Sequence, residues 1–377
     1  MQKAVIVLPT YNEKGNVDKL ISIFENEVFP KIKNYEMSIL VVDDNSPDGT
    51  ADEVRKLMKK WSNIELNLGE KQGLGAAYIR GMIFAINKMK ADILFEMDAD
   101  FFHDPKKIPD FLKKIDDGYD YIIGTRYSDG GSIPKNWGLK RKIYSICGNL
   151  LVRTIFTRFY IHDWTGGFRA MKKEVFLKEK EELAEFKGYT FQVAFLYKTV
   201  RDGYKIAEVP FHATDRVLGR SKIAPAEYIF NLLKYVTTTR IKELLFGKFG
   251  KFLVVGGIGF IINAVLYSYL FNHTKLSLFF CNIIAAQFAI FSNYNLNNLW
   301  TFKENRVIEF KLYIWKIIQF FATSNIGVWF IQSGTIKLGE ILYGRRYPYV
   351  YFIIGTGLLL IWNFTVYNRV IWKKRSS

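Results

Sequence analysis

The sequence predicts two unlike parts. An α/β domain occupies residues 1–225, an all-α membrane domain of four spans occupies 247–377, and an amphipathic helical stretch, 226–246, joins them. Three observations carry this. Strand-like and helix-like stretches alternate through the first 125 residues. Four uncharged runs, each of ~20 residues or more, follow residue 251 and are long enough to cross a bilayer. The charge also divides: residues 1–240 carry 38 Lys+Arg against 32 Asp+Glu, and residues 241–377 carry 15 against 4. A basic excess lying beside apolar runs points to a membrane surface and away from nucleic acid.

The elements follow in order. Residues 4–8 are a short apolar run that reads as a buried first strand, and the N-terminus is too short in apolar residues for a secretory h-region. An amphipathic stretch covers 17–28. A second β-rich run at 39–42 ends in Asp43-Asp44, and Asp48 or Thr50 caps a helix near 51–61. A strand at 64–67, a helix near 76–88 and a strand at 93–97 continue the series. Such a series predicts a mostly parallel sheet, with ligands beyond the carboxyl ends of its strands. Pro9 to Glu13, Asp43-Asp44 and Asp98-Ala99-Asp100 all fall at such ends.

From Gly130 to His162 there is no acid, but there are six bases: Lys135, Lys140, Arg141, Lys142, Arg153 and Arg158. Ile143, Ile146, Leu150, Ile155 and Phe156 interleave at helical spacing. This reads as a basic amphipathic helix at a membrane surface. The four uncharged runs are 252–271, 276–302, 317–336 and 347–368. The second is the least regular, because Asn293, Asn295, Asn297 and Asn298 crowd its end. Bases between the runs concentrate on one side (Lys248, Lys251, Lys303, Arg306, Lys311, Lys373, Lys374, Arg375) against Lys275, Arg345 and Arg346 on the other. By the positive-inside rule both termini and the α/β domain are expected in the cytoplasm. Cys147 and Cys281 have no disulfide or zinc spacing.

The candidate chemistry sits in the first part. Two carboxylates at i and i+2 after a strand, Asp98 and Asp100, can converge on Mg²⁺ or Mn²⁺ shared with substrate phosphates. Asp44 suits a base or ribose hydroxyl. Arg126 and Arg141 are candidates for phosphate, as is the cluster Arg216, Arg220 and Lys222 around Gly219. There is no P-loop signature, and Lys71-Gln-Gly-Leu-Gly is too sparse for a dinucleotide fingerprint.

The stretches PTYNE, VVDDNSPDGT, GLGAAYIRG, MDAD, GTRYSDGG, LKRKIYS, DWTGGFRAMKKEVF, GYTFQ and EVPFHATDRVLGRSK, in this order, resemble the family 2 glycosyltransferases, and within them the dolichyl-phosphate mannose synthases. The resemblance runs from about residue 5 to 222. The C-terminal part resembles the GtrA-type membrane domain. The resemblance implies a GT-A (Rossmann-like) fold. It implies that Pro9, Tyr11, Glu13, Val42 and Asp44 line the base and ribose pocket. It places Asp98, Ala99 and Asp100 at donor diphosphate and metal, and Arg126, Arg216 and Lys222 at phosphates. Arg141 and Ser145 would hold the lipid phosphate, four residues apart on one helix face. Family members often carry Gln or Ser two residues after the second Asp of the triplet. Here Phe102 stands there, leaving water, His103 or backbone to complete the metal shell.

The implied reaction is inverting, metal-dependent transfer of mannose from GDP-mannose to a dolichyl or polyprenyl phosphate. Asp163, in Asp-Trp-Thr-Gly-Gly-Phe-Arg, is an extra polar group and not a base. Two rivals stand beside this reading. One is a polyprenyl-phosphate glucosyltransferase using UDP-glucose. The other is a lipid-linked sugar transporter with a regulatory soluble domain.

Overall fold

A computed structural model of the chain describes residues 1–186, 189–215, 225–276, 278–344 and 346–373. Arg216, Gly219, Arg220, Lys222, Arg345, Lys374 and Arg375 lie outside the described residues. The chain divides into two compact units, Met1–Thr238 and Thr239–Ser377.

The first unit is built on seven strands: β1 (Gln2–Thr10), β2 (Tyr35–Asp43), β3 (Ile64–Leu68), β4 (Ile93–Glu96), β5 (Tyr121–Thr125), β6 (Arg169–Lys172) and β7 (Ile206–Pro210), in the order β3-β2-β1-β4-β6-β5-β7. Side chains alternate across β1, so Ala4, Ile6 and Leu8 enter one core while Val5 and Val7 enter the other. The first core is closed by α1 (Asn16–Ile23), α2 (Thr50–Lys60) and α4 (Ile108–Asp116). In α4, Ile108, Phe111, Leu112 and Ile115 follow the helical period and are all buried. Burying a side chain as large as Phe111 contributes roughly 1.5–3 kcal/mol.

The second core is closed by α3 (Leu74–Asn87), α5 (Leu139–Phe156), α6 (Lys173–Leu183) and α7 (Tyr189–Arg201). At Gly81, α3 lies flush on the sheet: an added Cβ would come 2.6 Å from Val42 Cγ2 and Val7 Cγ1.

The sheet is mostly parallel, as expected, with one reversed strand. β6 runs antiparallel to both β4 and β5. The reason is local. Strand β5 ends at the carboxyl edge, residues 126–168 stay at that edge, and the chain re-enters the sheet from the same side. That insertion carries α5.

Helix α5 has two faces. Asn149, Val152 and Phe156 point inward, and Phe156 packs on Trp164 and Tyr197 with ring centroids 5.3 and 4.4 Å apart. The expected outward face therefore loses Phe156 to the core, and Ile155 packs against that core as well. Spacing alone could not choose between the two sides. Ile143, Ile146 and Leu150 do face outward, joined by Leu139, Tyr144 and Leu151, with Leu139 74% and Leu150 54% exposed.

Helix α8 (Pro225–Phe246) runs across the division between the units. The second unit is helical: α9 (Lys248–His273), α10 (Leu278–Leu296), α11 (Phe310–Ile326), α12 (Ser333–Tyr343) and α13 (Pro348–Val366). A π turn, Gly327–Gln332, runs α11 into α12. Among the described residues, the continuous helical runs Ile229–His273 and Phe310–Tyr343 are long and apolar enough to cross a membrane. An aromatic cluster of Tyr294, Phe302, Phe320, Tyr367 and Trp372 ties these helices together. Asn298 is buried there, accepting from Val307 N (2.8 Å) and Trp372 Nε1 (2.9 Å).

Candidate active site

Three loops meet at the carboxyl edge of β1, β2 and β4. Asp43, fully buried at the end of β2, knots the first two together. Its carboxylate accepts from Thr10 Oγ1 (3.3 Å), Ser46 N (2.9 Å) and Ser46 Oγ (2.6 Å). The 12–15 backbone then donates in series to Ser46, Thr50, Asp48 and Glu53. This holds Pro9, Tyr11 and Glu13 beside Asp44. Asp44 accepts from Arg80 Nη2 at 2.7 Å, and Arg80 Nε donates to Asn67 at 3.0 Å. Lys71 Nζ sits 3.4 Å over the Tyr11 ring. The Val42 side chain is fully buried against Gly81, so only its backbone is left to line a pocket.

The third loop carries the acidic triplet. Asp98 keeps its side chain 30% exposed and accepts from Tyr78 OH at 3.3 Å, while Asp100 is 5% exposed and accepts from Phe102 N at 3.1 Å. Phe101 takes a left-handed conformation, φ 66°, unusual for a side chain of its size. It turns the chain so that both carboxylates stay at the edge.

His103 is not placed as a metal ligand. Its Nδ1 accepts the Asp98 backbone N–H at 3.1 Å, which leaves the proton on Nε2. The ring is buried and stacks on Phe168, centroids 5.1 Å apart. It braces the triplet from below. Phe102 stacks on Trp137 at 5.9 Å.

Behind the triplet lies a buried polar layer. Glu96 stands opposite Arg169 in the β4–β6 pairing. Burial pushes its carboxyl up to about 7, with Arg169 pulling the other way. Arg169 is fully buried and donates to Gly166 O, Tyr121 OH, Gln192 O and Trp164 O.

Arg126 differs from expectation. Its Nε and Nη2 bind both oxygens of Asp163 at 2.7 and 2.8 Å, and Nη2 also reaches Thr165 Oγ1 at 3.0 Å. Asp163 is fully buried and also accepts from the N–H groups of Arg126 and Gly166. Burial would raise its pKa, but the Arg126 guanidinium and these hydrogen bonds outweigh that and hold it below the ordinary value. The pair fixes the start of the insertion to its end. Much of the guanidinium expected at phosphate is thereby committed to Asp163.

Arg141 and Ser145 lie on the same face of α5. The Arg141 guanidinium sits 3.9 Å over the Trp137 ring and 3.5 Å from Asp215 Oδ1. It is 43% exposed, and such an exposed pair is worth little. Ser145 Oγ is 2.5 Å from Tyr127 OH. Burial raises the Tyr127 hydroxyl, with Arg126 opposing. Asn149 ties α5 to the 163–165 segment through Thr165 Oγ1 and Trp164 N.

Sequence reasoning passed over Arg80, Lys71, Tyr127, Trp137 and Thr165. Arg80 and Tyr127 stand inside the quoted stretches GLGAAYIRG and GTRYSDGG. The pairings that reveal them span 36 and 18 residues.

Comparison with known proteins gives the family. Residues 5–178 match Glycosyl transferase family 2, and residues 251–372 match the GtrA/DPMS transmembrane domain. A polyprenol monophosphomannose synthase of Mycolicibacterium smegmatis is 35% identical over 226 residues, 59% of this chain and 82% of its own. A dolichol-phosphate mannosyltransferase of Pyrococcus furiosus is 32% identical over 305 residues, 81% of this chain and 82% of its own. A solved glucosyl-3-phosphoglycerate synthase of Mycobacterium tuberculosis superposes with a TM-score of 0.45 at 17% identity, over 63% of this chain and 80% of that one. With the acidic triplet at the sheet edge and a transmembrane domain behind it in the chain, this membrane protein belongs to glycosyltransferase family 2, in its GT-A fold.

Proposed function

We propose that the first unit transfers mannose from GDP-mannose to the phosphate of a dolichyl or other polyprenyl phosphate. The observation that carries this is the joining of two half-sites by one insertion. The triplet Asp98-Ala99-Asp100 lies at one end, Arg141 and Ser145 lie on α5, and the Arg126–Asp163 pair holds the insertion between them. The relatives' names supply the sugar and the lipid.

Pro9, Tyr11, Glu13 and Asp44 receive the nucleoside, with Arg80 orienting Asp44 and Lys71 beside the diphosphate. Asp98 and Asp100 are hard oxygen donors and suit Mg²⁺ or Mn²⁺. Among the described residues no third His, Cys, Asp or Glu joins them, so Asp98 and Asp100 are the two side chains that would hold it. When bound there, such a cation would supply charge neutralisation for the departing diphosphate.

The acceptor is a phosphate monoester with a second pKa of about 6, largely ionised at neutral pH, so no strong base is needed. Its oxygen bonds to the anomeric carbon as the bond to the nucleoside diphosphate breaks, inverting that carbon. Arg141 and Ser145 position it, and Tyr127 orients Ser145. Arg216 and Lys222 are assigned to phosphate by family resemblance alone. The catalytic domain is 1–225 with 226–246 as linker, and both termini are cytoplasmic, where the basic loops cluster.

The test supplies radiolabelled GDP-mannose or UDP-glucose with a C55 phosphate. Mannolipid from GDP-mannose is expected. Glucolipid alone would move the donor to UDP-glucose, and no lipid product from either would favour a transporter. In Asp100→Ala transfer should fall roughly a hundred- to a thousandfold, as for loss of a major electrostatic contact. Near-normal transfer would remove the metal role.

A further inference from the structure

Two guanidinium groups of the first unit rest on one pair of stacked rings. Phe102 and Trp137 lie 5.9 Å apart between centroids and only 10° from parallel. The Arg141 guanidinium lies 3.9 Å over Trp137, and that of Arg126 lies 5.7 Å from the Phe102 centroid. Phe102 belongs to the loop of the acidic triplet, where its N–H donates to Asp100 at 3.1 Å. Its side chain has no atom that can ligate a cation. Trp137 stands just ahead of α5, its N–H closing a turn onto Pro134 O at 3.3 Å, and the residue is only 7% exposed. The stack therefore joins the triplet loop to the head of the helix that carries Arg141.

We propose that Trp137 and Phe102 are positioning residues for the acceptor phosphate: their stack presets the Arg141 guanidinium, so the loop that serves the donor also supports the cation that serves the acceptor. The inference rests on the proposed function in placing Arg141 at that phosphate. A long side chain as exposed as Arg141 samples many rotamers, and fixing it on binding lowers affinity. Trp137 offsets part of that loss by giving the guanidinium a face to lie on. A stacked guanidinium uses its flat face and keeps its edge N–H donors for an oxyanion. Indole is also the best of the aromatic partners for a cation. Phe102, nearly parallel to the indole, holds its plane in turn. Ordinary packing is the rival account. It would have both rings stabilise the fold and every kinetic constant change together. A positioning role moves the acceptor constants alone, and only while Arg141 is present.

The experiment uses the full chain in lipid nanodiscs. Farnesyl phosphate binding is titrated calorimetrically without donor. Acceptor KM, donor KM and kcat are read with C55 phosphate and GDP-mannose. Trp137→Leu should weaken farnesyl phosphate binding and raise acceptor KM about five- to tenfold, within the range of a cation–aromatic contact, with kcat and donor KM unchanged. Trp137→Phe keeps a ring and should recover most of the loss. Phe102→Leu should lower the same two readings about two- to fivefold, as for one lost aromatic pair. In an Arg141→Ala background Trp137→Leu should add nothing, because its effect passes through the guanidinium. Should Trp137→Leu fail to fold, Phe102→Leu, alone and in that background, decides. Absence of saturable binding by the wild type, unchanged binding in the folded leucine variants, equal rises in donor and acceptor KM, no recovery in Trp137→Phe, or a full effect without Arg141 would overturn the proposal. Binding weakened in both leucine variants, with no mannolipid from the wild type, would sink the proposed donor and sugar alone. Mannolipid synthesis with acceptor binding indifferent to both rings would sink this inference alone.

Discussion

Neutralising Asp163 should loosen the first unit while leaving every acidic-triplet residue in place. In Asp163→Asn, Arg126 keeps its charge at 7% exposure and loses its counter-charge. Removing one partner of a buried pair costs 3–5 kcal/mol in general. The new amide can still accept one hydrogen bond, so about 3 kcal/mol is expected here. For a unit of this size each kcal/mol lowers Tm by about 2–4 °C, giving a drop of roughly 6–12 °C. Unfolding of the purified full chain, followed by tryptophan emission, reads it directly, since Trp164 is the adjacent residue and is fully buried. The double variant Arg126→Met with Asp163→Asn removes both charges and should recover part of the loss. The same pair sets an acid limit. The folded pKa of Asp163 is depressed, so its stabilisation is complete above the ordinary value of 3.8 and is lost as pH falls through the lower folded value. A Tm for Asp163→Asn within 1 °C of wild type would refute the reasoning. So would a double variant no better than the single one.

Three further outcomes are expected. Arg141→Ala should raise the acceptor KM about tenfold, the value of one charge-assisted hydrogen bond, and an effect confined to donor KM would remove it from the lipid phosphate. Gly69→Ala would place a Cβ 2.4 Å from Arg80 Cζ. The flexible guanidinium can move, so the fold should persist, but Asp44 loses its partner and donor KM should rise severalfold; an unchanged donor KM would show that Asp44 does not depend on Arg80. Gly81→Ala forces a methyl against Val7 and Val42 and should cost about 1–3 kcal/mol in denaturant unfolding, whereas a neutral result would mean α3 can lift from the sheet.

What the sequence disclosed followed from local chemistry. Alternating apolar runs gave the strands, and acids after strands gave the sheet edge, because both depend on residues near one another in the chain. What it concealed depended on distant partners. Arg126 looked like a phosphate ligand because nothing nearby reveals Asp163, 37 residues on. His103 looked able to replace a metal ligand because only the folded loop turns Nδ1 onto the Asp98 N–H. Phe156 shares its helical period with Ile146, yet one is in the core and the other is exposed, a choice made by Trp164 and Tyr197. The reversal of β6 escaped because β-strand direction is set by where the 126–168 insertion travels.

The two faces of α5 have a kinetic consequence. The face that carries Val152 and Phe156 is anchored in protein, and the face with Leu139, Ile146 and Leu150 is exposed. Arg141 and Ser145 ride on that same rigid rod, about one turn or ~6 Å apart along it. On the proposed function, a lipid phosphate would reach them only at the depth at which this helix would lie in the membrane surface. Encounter then becomes a search in two dimensions. Turnover should track the mole fraction of acceptor in the bilayer, and diluting it with inert lipid at constant bulk concentration should slow the reaction.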